Sequence, residues 1–176
     1  MTMKLLETVT VGSGGTASIT FSNIPQQGYT DLFVVLSART ASTLVNDYLT
    51  IRFNANATGY TVRGLFGSGS SAGTFSSPGN YLAETVGNGS TANTFSVSSV
   101  YIPNYLSSAN KSYSAEGVGE NNGTTAFQSI VAGLWSNTAA ITSITFGNSS
   151  STNFVQHSTA SLYGITAGSD GIVSVS

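Results

Sequence analysis

A chain of 176 residues has the length of one domain and can bury most of the surface its unfolded form would expose. Only 7% of its residues are charged, against about 25% in ordinary soluble proteins. With 40% hydrophobic residues and a formal charge of −2 it lacks the composition of a disordered chain, and its five basic residues are scattered.

Taken in chain order, the candidate strands begin at 4–11, followed by TASITF (16–21), where Ala17, Ile19 and Phe21 alternate with Ser18 and Thr20. Such alternation marks a strand with one buried and one wet face. TDLFVVLSART (30–40) has a continuous apolar centre from Leu32 to Leu36, suited to a strand covered on both sides. YLTIRF (48–53) alternates again, and further candidates are 60–66, 94–102, 110–118, 125–135, 140–146 and 154–165. No segment keeps apolar residues at helical spacing over a helix length. The tetrapeptide SITF occurs at 18–21 and at 143–146, which two strands of similar patterning would explain. About ten short strands separated by Gly-, Asn- and Ser-rich turns predict an all-β fold, an antiparallel, jelly-roll-like β-sandwich.

GSGSSAGTFSSPG (67–79) interrupts the pattern, and Gly69-Ser70-Ser71-Ala72-Gly73 fits the Gly-x-Ser-x-Gly form of a hydrolase nucleophile. That chemistry needs a strand, a sharp turn and then a helix, and TFSSPGN cannot open one. The chain's one histidine, His157, lies among alternating residues and reads as a strand histidine at a sheet surface. A linker reading also fails, because residues 1–66 hold about five strands with no closure of their own. Gly67, Ser68, Gly69, Ser70, Ser71, Ala72 and Gly73 are therefore expected to form a long exposed loop, of the kind that carries contacts on a rigid framework.

Other chemistry finds no anchor. The carboxylates form no Asp-x-Asp or calcium-loop pattern, cysteine is absent, and GSGGTAS (12–18) lacks the lysine of a phosphate cradle. The expectation is no catalytic residue, no metal, no cofactor and no enzyme activity. Lys4, Arg39, Arg52, Arg63 and Lys111 lie too far apart to predict a phosphate-binding face, so neither nucleic acid nor a membrane is an expected partner. No apolar run approaches the ~18 residues of a spanning helix, and MTMKLLETVTVGSGG is no signal-peptide core. Trp135, Tyr60, Tyr81, Tyr101, Tyr105 and Tyr113 could stack on sugar rings if exposed, but most are expected to pack in the core.

AGLWSNTAAITSITF (132–146) and FVQHSTASLYGI (154–165) carry a resemblance, joined by LLETVTVGSGGTASITFSNIPQQGYTDLFVVLSAR (5–39), IRFN (51–54) and YIPNY (101–105). The chain resembles small β-sandwich virion proteins of tailed phages, especially cyanophages: capsid decoration (cement) proteins and tail-fibre end domains. The motifs are strand patterns and not chemistry. The resemblance implies a structural role on the particle. Tail-fibre versions usually end a longer, shaft-bearing chain, whereas this domain begins almost at Met1. That layout suits a decoration protein on the outer surface of the head, which the resemblance implies is a homotrimer bridging subunits of the major capsid protein. The alternative is a tail-fibre or baseplate protein at the tail tip, recognising host-surface carbohydrate.

The domain is expected to span 1–166, leaving 167–176 as a C-terminal tail. There IVSVS follows Gly168 and Gly171 and has strand propensity. A β-prone end can add itself to a neighbour's sheet edge. Met1, Thr2, Met3, Lys4, Asp170, Gly171, Ile172, Val173 and Val175 are thus the expected partner-binding residues, with at least one end ordered by another subunit.

Overall fold

A computed structural model describes residues 2–121, 123 and 126–166. Among these run β1 (Thr2–Thr10), β2 (Ile19–Phe21), β3 (Asp31–Ala38), β4 (Asn46–Phe53), β5 (Tyr60–Gly67) and β6 (Ala72–Ser77). They continue with β7 (Tyr81–Val86), β8 (Ser96–Ile102), β9 (Lys111–Gly119), β10 (Phe127–Trp135), β11 (Ile144–Asn148) and β12 (Thr159–Thr166). Every named strand pair is antiparallel. An eight-stranded sheet in the order β1-β12-β3-β8-β9-β10-β5-β6 packs against a four-stranded sheet in the order β2-β11-β4-β7. The all-β sandwich expected from alternation is the fold.

The two SITF copies meet directly: Ile19 faces Phe146 and Phe21 faces Ile144 across β2 and β11. Thr20 Oγ1 donates to Thr145 Oγ1 on the wet side, while the rings of Phe21 and Phe146 pack edge to face on the dry side. β3 differs from the expectation of two covered faces. Leu32, Val34, Leu36 and Ala38 are buried, but Phe33 and Val35 point outward and are half-buried by neighbours on their own sheet.

The core is aromatic at its centre. Trp135 is 1% exposed and stacks on Tyr60, and Phe53 of the small sheet packs against Trp135, Tyr60 and Tyr113 of the large one. The Phe53 N–H donates to Tyr60 Oη at 2.7 Å. Burial pushes the Tyr60 phenol up to about 12, keeping it neutral. Tyr113 lies flat over Gly133: a Cβ there would stand 2.0 Å from Tyr113 Cζ.

Two strands were not expected from the sequence. β7 is buried from Leu82 to Val86, and its Glu84 and Thr85 break the apolar alternation. Thr85 Oγ1 donates to the Ala38 carbonyl and lies 2.7 Å from Ser96 Oγ, so hydroxyls satisfy the polar layer between the sheets. β6 occupies part of the stretch expected to be loop, pairing Gly73 with Phe66 and Phe75 with Gly64. The Phe75 ring covers Gly64, supplying the apolar surface that the glycine lacks and holding an otherwise polar strand to the sheet.

Substituting Gly133→Ala forces the Tyr113 ring off its seat. The expected cost is about 2 kcal/mol, the usual size of core overpacking, read as a lower urea midpoint. Tryptic digestion tests strand pairing. Arg39 and Lys111 are buried, and Arg52 and Arg63 lie in hydrogen-bonded strands. Lys4 sits on the exposed edge strand β1, so the first cut is expected there, with the remaining sandwich persisting for hours. Rapid cleavage at Arg52 would contradict the pairing of β4.

Candidate functional site

The residues singled out by sequence separate widely. Ser71 closes the β5–β6 hairpin, where the Ser68 N–H donates to the Ser71 carbonyl and the two hydroxyls lie 2.9 Å apart. The expected long loop is thus a tight turn over 68–71, with Gly67 ending β5 and Ala72 and Gly73 opening β6. His157 lies in a turn before β12, not within a strand, with a left-handed φ of 74°. β12 and β6 are six strand positions apart in the large sheet, roughly 29 Å at the usual spacing. Ser71 and His157 therefore cannot share a proton.

Thr2, Met3 and Lys4 do not precede the first strand: they pair with Thr166, Ile165 and Gly164 of their own chain. These residues are therefore part of β1 and not a free arm ahead of it. Met1, Asp170, Gly171, Ile172, Val173 and Val175 lie outside the described residues. β1 still presents one open edge, but it carries Lys4 and a register shift between Leu5 and Glu7. A charge and a bulge are devices that discourage further strand addition.

Of the aromatic candidates, Trp135, Tyr60, Tyr105 and Tyr113 are core residues. Tyr101 belongs to the outward face of the large sheet, where Tyr101, Phe33 and Tyr163 stand in one row across β8, β3 and β12, and Leu5 continues it. Leu65 faces Ile130, exposed by 57% and 53%, and Val97 faces Val118. Two carboxylates on this face are engaged: Tyr101 Oη donates to Asp31 and Ser99 Oγ to Glu116. The result is a broad, weakly charged surface with apolar rows.

A second feature arises where the large sheet outruns the small one. The inner face of β5 and β6 extends past β7 and leaves a cleft of about 350 Å³ lined by Tyr48, Phe66, Phe75, Tyr81, Glu84 and Phe127. Tyr81 is its centre. Phe75 meets its ring edge to face at 4.9 Å and Tyr48 packs at 5.5 Å with its plane tilted by 59°, so the three rings form one contiguous, angled aromatic surface. The Tyr113 hydroxyl donates to the Tyr81 carbonyl and anchors this end of β7 to β9.

Glu84 is 5% exposed, yet it carries a carboxyl into this surface. Tyr81 Oη donates to Glu84 Oε1 at 3.0 Å, and Asn46 Nδ2 donates to Oε2. Burial pushes the Glu84 carboxyl above the usual carboxylate range, against the pull of these two donors, and nearby Asp47 pushes the same way. Asp47, fully buried, accepts from Thr40, Ser149, Ser150 and the Tyr48 N–H. Burial and the two acids also raise the Tyr48 phenol. The cleft thus combines ring faces with a buried acceptor that is not balanced by a lysine or arginine among its lining residues.

No protein-family model matches the chain, and no curated protein matches it.

The raised Glu84 carboxyl makes stability depend on pH. The folded chain holds that proton more tightly than the unfolded chain, so stability falls as pH rises from the ordinary glutamate range through the raised value and then levels. Glu84→Gln should flatten this slope. Its amide can also serve Asn46 Oδ1, which is buried without a partner, after Asn46 turns over. The expected gain near neutral pH is about 1 kcal/mol, measured by urea unfolding across a pH series. An unchanged slope in the variant would assign the titration to another group.

Proposed function

We propose that this chain is a non-enzymatic structural protein of a phage particle, a capsid decoration protein that stabilises the head by bridging capsid subunits, acting as a trimer on the outer surface. The strand-pattern resemblance supports the particle. The outward face of the eight-stranded sheet is the observation that carries the mode of action. Eight strands at the usual spacing span ~34 Å, and strands of this length run ~20–30 Å, giving a face on the order of 800 Å². That matches one partner's share of a stable protein–protein interface, about 800 Å².

The character of the face fits a static contact. Apolar rows such as Leu65–Ile130 and Tyr101–Phe33–Tyr163 bury area without ion pairs, so attachment should weaken little with salt. The guarded β1 edge favours docking by the face over strand addition. A second reading, a tail-fibre or baseplate protein that binds host carbohydrate, is favoured by the aromatic cleft.

Gold-labelled antibody on intact particles separates the two, since head labelling supports decoration and tail labelling the alternative. On expanded capsids, Ile130→Glu places a charge in the middle of the face and should lower affinity about tenfold or more. The residue is exposed, but the new carboxylate stands opposite Glu116 on β9, so the variant's own stability should fall by up to about 1 kcal/mol. Full occupancy by the variant would remove the sheet face from the contact.

A further inference from the structure

The cleft beside β7 opens on the inner side of the large sheet and is left unused by docking through the outward face. We propose that it is a binding site for a neutral pyranose sugar, which stacks on the exposed ring of Tyr48 beside Tyr81 and Phe75 and donates hydroxyl hydrogen bonds to Glu84. The proposal gives a ligand class to the second reading above, but it holds for a protein on the head or on the tail.

The lining selects this class by exclusion of the others. A sugar ring presents C–H faces to aromatic rings and hydroxyls to acceptors, and the cleft offers both within one volume of about 350 Å³. That lies in the range of small-molecule sites, about 300–1,000 Å³. A purely apolar ligand would close off the remaining acceptor sites of Glu84 without offering them a donor. A carboxylate has about four lone-pair sites, and Tyr81 and Asn46 occupy one on each oxygen, leaving acceptor capacity on a carboxyl already held in place. An ammonium ion needs several free ring faces turned toward it, whereas the edge-to-face contact of Phe75 with Tyr81 already uses one of these faces.

Charge narrows the class further. Glu84 lines the cleft and interacts with Asp47 behind it, while no lysine or arginine lines it. An acidic sugar would bring its carboxylate against this field with nothing to neutralise it. Neutral hexoses and N-acetylhexosamines meet no such repulsion. Ser77, on the same face of β6 as Phe75, adds a hydroxyl at the rim, and Tyr48, 43% exposed, gives the ring most open to a ligand.

The test uses the isolated full chain, so its outcome is independent of where the protein sits on a particle. Nitrogen-15 labelled protein is titrated with methyl glucoside, methyl galactoside, N-acetylglucosamine, glucuronic acid and N-acetylneuraminic acid. At least one neutral sugar should shift amides of β6 and β7 while those of β3 and β12 stay still, and the acids should bind more weakly. Tyr48→Ala should weaken binding about tenfold, the scale of a lost stacking contact. Tyr48→Leu, which keeps apolar bulk but no ring face, serves if the alanine variant does not fold. Glu84→Gln should narrow the gap between neutral and acidic sugars. No response to any neutral sugar, equal binding of the acids, or full affinity in the folded Tyr48 variants would each overturn the proposal.

Discussion

The contact of Phe53 with Trp135, Tyr60 and Tyr113 fixes a sheet of four strands on a sheet of eight, and the difference in width governs the rest of the molecule. A narrow sheet pinned by one aromatic centre leaves parts of the wide sheet's inner face without a cover. On one side the overhang is β5 and β6, roofed only by Phe66 and Phe75, and the cleft follows from it. On the other side β1 is exposed along most of its length. Neither feature is a defect of packing. Both are what remains when two layers of unequal area share one hydrophobic core.

Scarcity of charge shapes the interior as well as the surface. Arg39 is 6% exposed, and its guanidinium donates to the carbonyls of Ser90, Thr91 and Thr94 and to Asn88 and the Thr94 hydroxyl. Lys111 does the same with the carbonyls of Ser107 and Ala109. Asp47 is held by hydroxyls and a backbone N–H. Loop backbone and serine or threonine thus do what opposite charges do elsewhere. Such short, buried contacts are screened little by salt.

Most of the fold was legible because alternation is a direct imprint of a half-buried strand. β2, β4, β8, β9 and β10 show it in sequence and in burial. β7 was hidden because burial there extends to Glu84 and Thr85, whose polarity reads as exposure until their partners are known. β6 was hidden because Ala72–Ser77 has one large apolar residue, Phe75, and its strand character depends on Gly64 across the ladder. The cleft was illegible for the same reason, since these two strands carry most of it. A phenylalanine isolated in a Gly/Ser-rich stretch was the one available signal. The aromatic list taken from sequence included Tyr81 but also four core residues, because composition cannot tell a cleft from a centre.

Trp135 leaves a practical consequence. It is the chain's one tryptophan, fully enclosed between Tyr60 and Phe53, with an indole N–H that has no hydrogen-bond partner. An indole in so dry a setting emits at short wavelength and moves to longer wavelength only when water reaches it. The molecule therefore contains its own optical gauge of integrity. That gauge reads the joint between the two sheets and stays silent when something settles on the outward face or in the cleft, so unfolding and occupancy can be followed as separate signals in one sample.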